Sequence, residues 1–259
     1  MTDMRILLVS GGDGTPFAHR LASRLEPSDE LVVVAPIVRD QWTTGLKASP
    51  DLDALLAPVA SASTYAVADE LIGLGYFPAW QRSSDLDVAG RLIRTELLDA
   101  GYSLTEATAA TATRRGVPFR LLPVSDDRAE LHVVVASDEG PHAIHITEYL
   151  AAPEAYDPQD VVLVAETWSV SEDVRTGLAA TDVIVLAPSS RTLAIDPVLR
   201  TPGFRDAIDA TTAVLAVEHA DTAPADLVRV SGLREPDPGK AEQVPADADV
   251  LDAVRGAVR

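Results

Sequence analysis

Arg5-Ile6-Leu7-Leu8-Val9, followed by Ser10-Gly11-Gly12-Asp13-Gly14-Thr15-Pro16, is the stretch that decides the fold. Residues 6–9 form an uninterrupted apolar run of strand length, which suits a strand covered on both faces. The next six residues break that pattern with three glycines. Pro16 is well placed as the first residue of a helix, with Thr15 as its N-cap. Phe17, Leu21 and Leu25 then recur at helical spacing, and Leu31-Val32-Val33-Val34 starts a second apolar strand. One strand–loop–helix–strand unit predicts a right-handed parallel crossover.

The rest of the chain repeats this alternation. Residues 39–68 read as loop and helix, with Pro50 opening Asp51-Leu52-Asp53-Ala54-Leu55-Leu56. Residues 89–115 read as two helices interrupted at Gly101, with Leu92, Leu97, Leu98 and Leu104 as candidate core positions. Strands are expected at 119–123, 131–135 and 143–149, and this middle section suits a small antiparallel subdomain. Buried strands follow at 161–164, 183–186 and 214–217, with a helix over 171–180. The fold class expected is α/β: a Rossmann-like, doubly wound, mostly parallel sheet with a smaller α+β insertion. Residues 1–232 make one domain with the insertion at about 85–150, and 233–259 make a mobile segment ending in a short helix.

Composition sets the habitat. The charge is −19, from 40 acids against 21 bases, and only Lys47 and Lys240 are lysines. Scattered carboxylates suit a protein that works in high salt, where screening removes their repulsion, or an acidic protein of no special habitat. Either way the charge disfavours sequence-independent binding to nucleic acid. With no cysteine, disulfides, thiolate metal sites and thiol nucleophiles are excluded. No membrane-length apolar run and no leader pattern is present, so the expected location is cytoplasmic.

Four groups of residues could carry chemistry. The glycine-rich loop, with Ser10, Gly11, Gly12, Gly14 and Thr15, can turn its amides toward an anion at a helix start, or serve as a tight structural turn. It is neither a P-loop nor the dinucleotide fingerprint. Asp40, in Arg39-Asp40-Gln41-Trp42, follows a strand and so faces the binding crevice of an open sheet. Asp51 and Asp53 open a helix, which acids stabilise in any case. Asp85 and Asp87, like Ser125-Asp126-Asp127, offer hard oxygens suited to Mg²⁺ or form a solvated surface. Ser189 and Ser190 end a buried strand, where hydroxyls and amides can hold a phosphate. His145 and Glu148 read as structural polar groups.

Taken in order, these fragments resemble the 2-phospho-L-lactate transferase family of coenzyme F420 biosynthesis. Its Ser-Gly-Gly-Thr-Gly-Thr is matched by residues 10–15 apart from Asp13, and its Asp-Asp-Ile-Trp by residues 39–42. Pro-Asp-Leu-Asp is similar to Pro50-Asp51-Leu52-Asp53, and Gly-Asp-Arg-Asp to Ser84-Asp85-Leu86-Asp87. Pro-Met-Ser-Asp-Asp is similar to residues 123–127, and Gly-Pro-Ser-Asn to residues 187–190. The resemblance implies a transferase that moves a phospholactyl-type group from a guanosine-diphosphate-activated donor to the ribityl hydroxyl of a deazaflavin, releasing GMP with Mg²⁺. It implies Asp40 as metal ligand and, with Asp85 and Asp87, catalytic residue. Ser10, Gly11, Gly12, Gly14, Thr15, Ser189 and Ser190 would bind the nucleotide. Asp51, Asp53, Ser125, Asp126 and Asp127 would bind the acceptor. The partners expected are these two small molecules and a second copy of the chain, with no nucleic acid and no membrane.

This chain departs from the pattern at Arg39, Phe17 and Ser190, and the family's later segment is not recognisable after Glu218-His219-Ala220-Asp221. A second reading is therefore a catalytically inactive paralog that binds nucleotide or deazaflavin in a regulatory or accessory role. A third, an oxidoreductase, is weakened because the second strand ends in Ala35-Pro36, with no acid for an NAD ribose.

Overall fold

In the computed structural model of the protein, residues 3–57, 63–76, 78, 80–208, 212–231, 241–245 and 249–258 are described. The chain opens with β1 (Arg5–Val9), α1 (Thr15–Ala22) and β2 (Glu30–Ala35). A hairpin of β3 (Gln41–Thr43) and β4 (Leu46–Ala48) follows, then α2 (Pro50–Leu56), α3 (Ala66–Gly73), α4 (Asp85–Asp99) and α5 (Leu104–Arg115). Next come β5 (Arg120–Pro123), β6 (Ala129–Val135), β7 (His142–His145), α6 (Ile146–Ala151) and β8 (Pro158–Ala165). The chain closes with α7 (Glu172–Ala180), β9 (Val183–Leu186), α8 (Asp196–Arg200), β10 (Ala213–Val217), α9 (Ala225–Val230), β11 (Glu242–Val244) and α10 (Val250–Ala257).

The main sheet is wholly parallel, in the order β11-β10-β9-β1-β2-β5. Counting only its strands along the chain, that order is 3-2-1-4-5-6, the Rossmann arrangement expected from the sequence. Chain order reverses between β1 and β9, which makes the crevice beyond their carboxyl ends the place for a ligand. Ile6, Leu7, Leu8 and Val9 are all buried, as are Val183, Ile184 and Val185, so these strands read as unbroken apolar runs.

The small antiparallel sheet, ordered β7-β6-β8, is inserted between β5 and β9. It holds residues 129–165, and β5 belongs to the main sheet. The strand expected over 143–149 stops at His145, whose ring accepts from the Thr147 N–H and caps α6. Val161–Val164 was read as buried because apolar runs look alike in either setting. It is instead an edge strand, with Val162, Leu163 and Val164 at 37–50% exposure. The hairpin β3–β4 was not anticipated, and Leu92 is exposed.

Residues 233–240, 246–248 and 259 of the expected mobile segment, and the expected boundary at 232, lie outside the described residues. Between those gaps Glu242–Val244 joins the main sheet beside β10, and α10 buries Leu251 and Val254. Among the described residues no helix is long and apolar enough to cross a membrane.

Candidate functional site

The loops after β1 and β9 meet at the switch point. Their approach explains the glycines. A Cβ on Gly14 would lie 2.3 Å from Ser10 Oγ and 2.4 Å from Ser189 Oγ. One on Gly11 would lie 2.6 Å from the Ala194 Cβ, and one on Gly12 would lie 2.8 Å from that of Ala54. Only hydrogen fits at these three positions. Thr15 is not the N-cap of α1; that position is Gly14, and Thr15 Oγ1 donates to the Gly12 carbonyl at 2.7 Å.

The loop amides are not free. Gly11 N–H donates to Ser189 Oγ at 3.2 Å, and Gly12 N–H to Asp51 Oδ1 at 2.8 Å. Ser190 N–H donates to Asp13 Oδ2 at 2.7 Å. Asp221 accepts from Ser190 Oγ, from Thr192 N–H and Oγ1, and from Ala223 N–H. A buried amide must find an acceptor, and here carboxylates of the chain supply it. Asp13, which departs from the family loop, thus ties the two loops together. Asp51 stands in for an anion: a glycine amide and a guanidinium fork both point at it, with Arg39 donating to its two oxygens at 2.9 and 2.5 Å.

Behind the cradle lies a buried charge cluster. Asp40, 2% exposed, accepts from Ser49 Oγ at 2.8 Å and pairs with Lys47 Nζ at 3.2 Å. Asp53 pairs with Arg94 at 2.6 Å and with Arg91 at 3.5 Å, while Arg94 also donates to the Lys47 carbonyl. Burial pushes the Asp40 carboxyl up to about 6 against the opposing pull of Lys47 and Arg94. Arg39, Lys47, Arg91 and Arg94 outnumber Asp40, Asp51 and Asp53, four cations to three acids, in a chain whose overall charge is −19. One of only two lysines is spent here.

Mg²⁺ takes hard oxygens and is repelled by cations close by. Each acid of this cluster is already matched by an arginine or lysine, and Arg39 is forked on Asp51. The set therefore does not fit a Mg²⁺ held by Asp40 before a ligand arrives.

The remaining expected residues serve elsewhere in the fold. Asp85 accepts from the Ala66 and Val67 amides at the start of α3, and Asp87 forms a capping box with Ser84 on α4. Asp126 accepts from Thr105 N–H at the start of α5. Asp127 accepts from Ser169 N–H and bonds Ser125. These are the helix-start and turn roles that acids favour. Phe17 is buried in the core. Glu148 accepts from the Tyr156 hydroxyl. His145 Nε2 donates to the Asp40 carbonyl at 3.2 Å, so the small sheet braces the cluster.

Sequence reasoning missed Lys47, Arg91, Arg94, Asp196 and Asp221 as parts of this region. The rarity of lysine was the one signal that could have marked Lys47.

Asp196, 1% exposed, lies on the far side of the β9 loop, and among the described residues its Oδ1 has no hydrogen-bond partner. Burial pushes this carboxyl up to about 6, although Arg191 lies 3.9 Å away. The folded state thus holds a proton between about pH 4 and 6 that the unfolded chain releases, and this group's contribution to stability falls as pH rises through that window. The penalty, about 3 kcal/mol for roughly two pKa units, is full above pH 7. Asp196→Asn should raise Tm at pH 7.5 by several degrees, with the gain shrinking toward pH 4.5 in thermal scans. A variant less stable at pH 7.5 would show that the carboxylate is well satisfied.

Two cavities flank residues 187–200. One, of about 90 Å³, is lined by Ala187, Ser189, Asp196, Val217, Glu218 and His219 among others. The other, of about 220 Å³ and more apolar, is lined by Val38, Leu131, Val161, Leu163, Trp168 and Pro197 among others.

Comparison with known proteins agrees with this geometry. A family model described as 2-phospho-L-lactate transferase CofD matches residues 6–226. A phosphoenolpyruvate transferase of Kitasatospora aureofaciens is 34% identical over 224 residues, covering 81% of this chain and 70% of its own. One of Thermobifida fusca is 31% identical over 232 residues, covering 82% and 72%. The crystal structure of protein BH3568 from Bacillus halodurans superposes with a TM-score of 0.61 at 16% identity, covering 99% of this chain and 84% of that one, which speaks for the fold alone. With the motif series in order, the switch-point cradle in place and these matches spanning most of its length, the chain belongs to the 2-phospho-L-lactate transferase CofD family.

Proposed function

We propose that the protein transfers a phosphoenolpyruvyl- or phospholactyl-type group from a guanosine-diphosphate-activated donor to the ribityl hydroxyl of a deazaflavin, in coenzyme F420 biosynthesis. The observation that carries this reading is the joined cradle of the β1 and β9 loops, backed by a cluster in which cations outnumber acids. A diphosphate needs amides, hydroxyls and positive charge, and such positioning supplies most of the acceleration in phosphoryl transfer. That its relatives in Kitasatospora aureofaciens and Thermobifida fusca are phosphoenolpyruvate transferases favours phosphoenolpyruvate as the source of the transferred group. The larger, apolar cavity suits a flat ring system, and it opens beside the cradle at Val38 and Thr192.

In this reading the acceptor hydroxyl oxygen attacks the phosphorus that carries the three-carbon acid. The bond from that phosphorus to the bridging oxygen breaks, GMP leaves with the electron pair, and the hydroxyl proton passes to Asp40. A carboxylate raised to about 6 is ionised at neutral pH yet basic enough to take it. Arg39 and Lys47 neutralise the diphosphate.

The test is incubation of the purified chain with the activated donor and the deazaflavin, followed by mass spectrometry. A phosphodiester adduct and an equal amount of GMP are expected. Binding of both ligands without adduct would instead support the inactive, accessory role.

A further inference from the structure

The small antiparallel sheet carries a side-chain cluster that the transfer chemistry does not use. Glu130 and His132 lie two positions apart on β6, so their side chains leave the same face of the sheet. His145 on β7 is the register partner of His132 and projects from that face as well. One ligand atom from each of the three lies within 4.8 Å of the others. The two imidazoles meet edge to face, with ring centroids 5.3 Å apart. Glu130 is buried, and the two histidines are half-buried, within reach of an ion from solvent.

Neighbouring groups aim the ligand atoms. Arg128 Nε donates to Glu130 Oε1 at 2.7 Å, which leaves Oε2 turned toward His132 Nε2 at 3.5 Å. Thr147 engages Nδ1 of His145 through its amide and its hydroxyl, and Nε2 faces the Asp40 carbonyl at 3.2 Å. Adjacent ligands on a tetrahedral ion with bonds of about 2.1 Å stand about 3.4 Å apart, close to both of these spacings. Two imidazoles and a carboxylate are donors that Zn²⁺ favours, whereas Mg²⁺ prefers oxygen alone. The nearby cations do not bar it: the Arg128 head lies mostly in solvent, which screens its charge, and Lys47 is paired with Asp40.

We propose that Glu130, His132 and His145 bind one Zn²⁺ ion, with the Asp40 carbonyl as a fourth donor. His145 then coordinates through Nε2, and its ring proton moves to Nδ1, where Thr147 Oγ1 accepts it at 2.7 Å. The Thr147 N–H gives up its bond to the ring. The ion ties β6 and β7 to the segment that holds Asp40, and it shares no donor with the cradle of the β1 and β9 loops.

The experiment is calorimetric titration of the full, tag-free chain, stripped with EDTA and dialysed, with zinc chloride at pH 7.5. One equivalent should bind with a Kd of about 1 μM or tighter, undisturbed by about a thousandfold excess of Mg²⁺. His132→Ala should weaken binding by about a hundredfold, at least the worth of an outer hydrogen-bond partner of a ligand. His142→Ala, at an exposed position of β7, should bind like the wild type. X-ray absorption at the zinc edge of the loaded wild type should show two imidazoles, a readout that needs no variant to fold. The site is overturned by a wild type that binds no zinc or yields it to Mg²⁺, or by a spectrum without two imidazoles. Undiminished binding in His132→Ala, or loss of the ion in His142→Ala, overturns it equally.

Discussion

Arg94→Met should unfold this protein more readily than any other single change in the site, lowering stability by about 3–5 kcal/mol in urea titrations. Arg94 is 3% exposed and holds two groups at once, the Asp53 carboxylate at 2.6 Å and the Lys47 carbonyl at 3.1 Å. Methionine keeps most of the side-chain volume, so the loss isolates the charge. Asp53, 6% exposed, would keep only the longer contact with Arg91, and an under-compensated buried charge costs several kcal/mol. The second variant, Asp53→Asn with Arg94→Met, should recover a good part of the loss because it removes that charge. A single-variant loss below about 1 kcal/mol would mean that Asp53 finds another cation or water, and that the pair does not brace α2 against α4.

Arg39→Ala should lower affinity for GDP by about ten- to a hundredfold, the worth of charge-assisted hydrogen bonds to a phosphate. In the ligand-free protein Arg39 forks onto Asp51, which also accepts from Gly12 N–H. These donors are the chemistry of a phosphate site, so a diphosphate entering the cradle competes with Asp51 for them. Because cations already outnumber acids in the cluster, a chelator should lower wild-type affinity by less than about threefold. Calorimetry of GDP binding with EDTA and with Mg²⁺ checks this. A loss of tenfold or more in EDTA would restore a metal to the site, and unchanged affinity in Arg39→Ala would move the phosphates away from Gly12.

Much of the framework was legible because burial leaves a local imprint. A strand covered on both faces must be apolar throughout, so residues 6–9, 31–34 and 183–186 announced themselves. Glycines that admit no Cβ marked the first loop, and Ser189 and Ser190 fell beside it as expected. The same imprint misled at 161–164, because an apolar run does not tell whether the second face is covered. It also failed at 242–244, where a strand of Glu-Gln-Val follows a Pro-rich, Asp-rich stretch and its pairing with β10 alone decides the matter. The acids were harder. Asp85, Asp87 and Asp126 look like ligands in a motif, yet in the fold Asp87 closes a capping box on its own helix, while Asp85 and Asp126 accept from the first amides of helices 19 and 21 positions away.

By itself, then, the sequence determined the buried strands of the main sheet at 6–9, 31–34 and 183–186, the β1 loop and the motif series, because each depends on neighbours within a few positions. The tertiary structure alone decided the partners of the charges. It brought Arg39 to Asp51, Lys47 to Asp40 and Arg94 to Asp53, pairs separated by 12, 7 and 41 positions. It also set Asp13 against Ser190, 177 positions away. Pairing across such spans follows from how the sheet closes, and no local pattern encodes it. The loop that the sequence offered as an open anion cradle is, in the folded protein, already filled by the chain's own carboxylates.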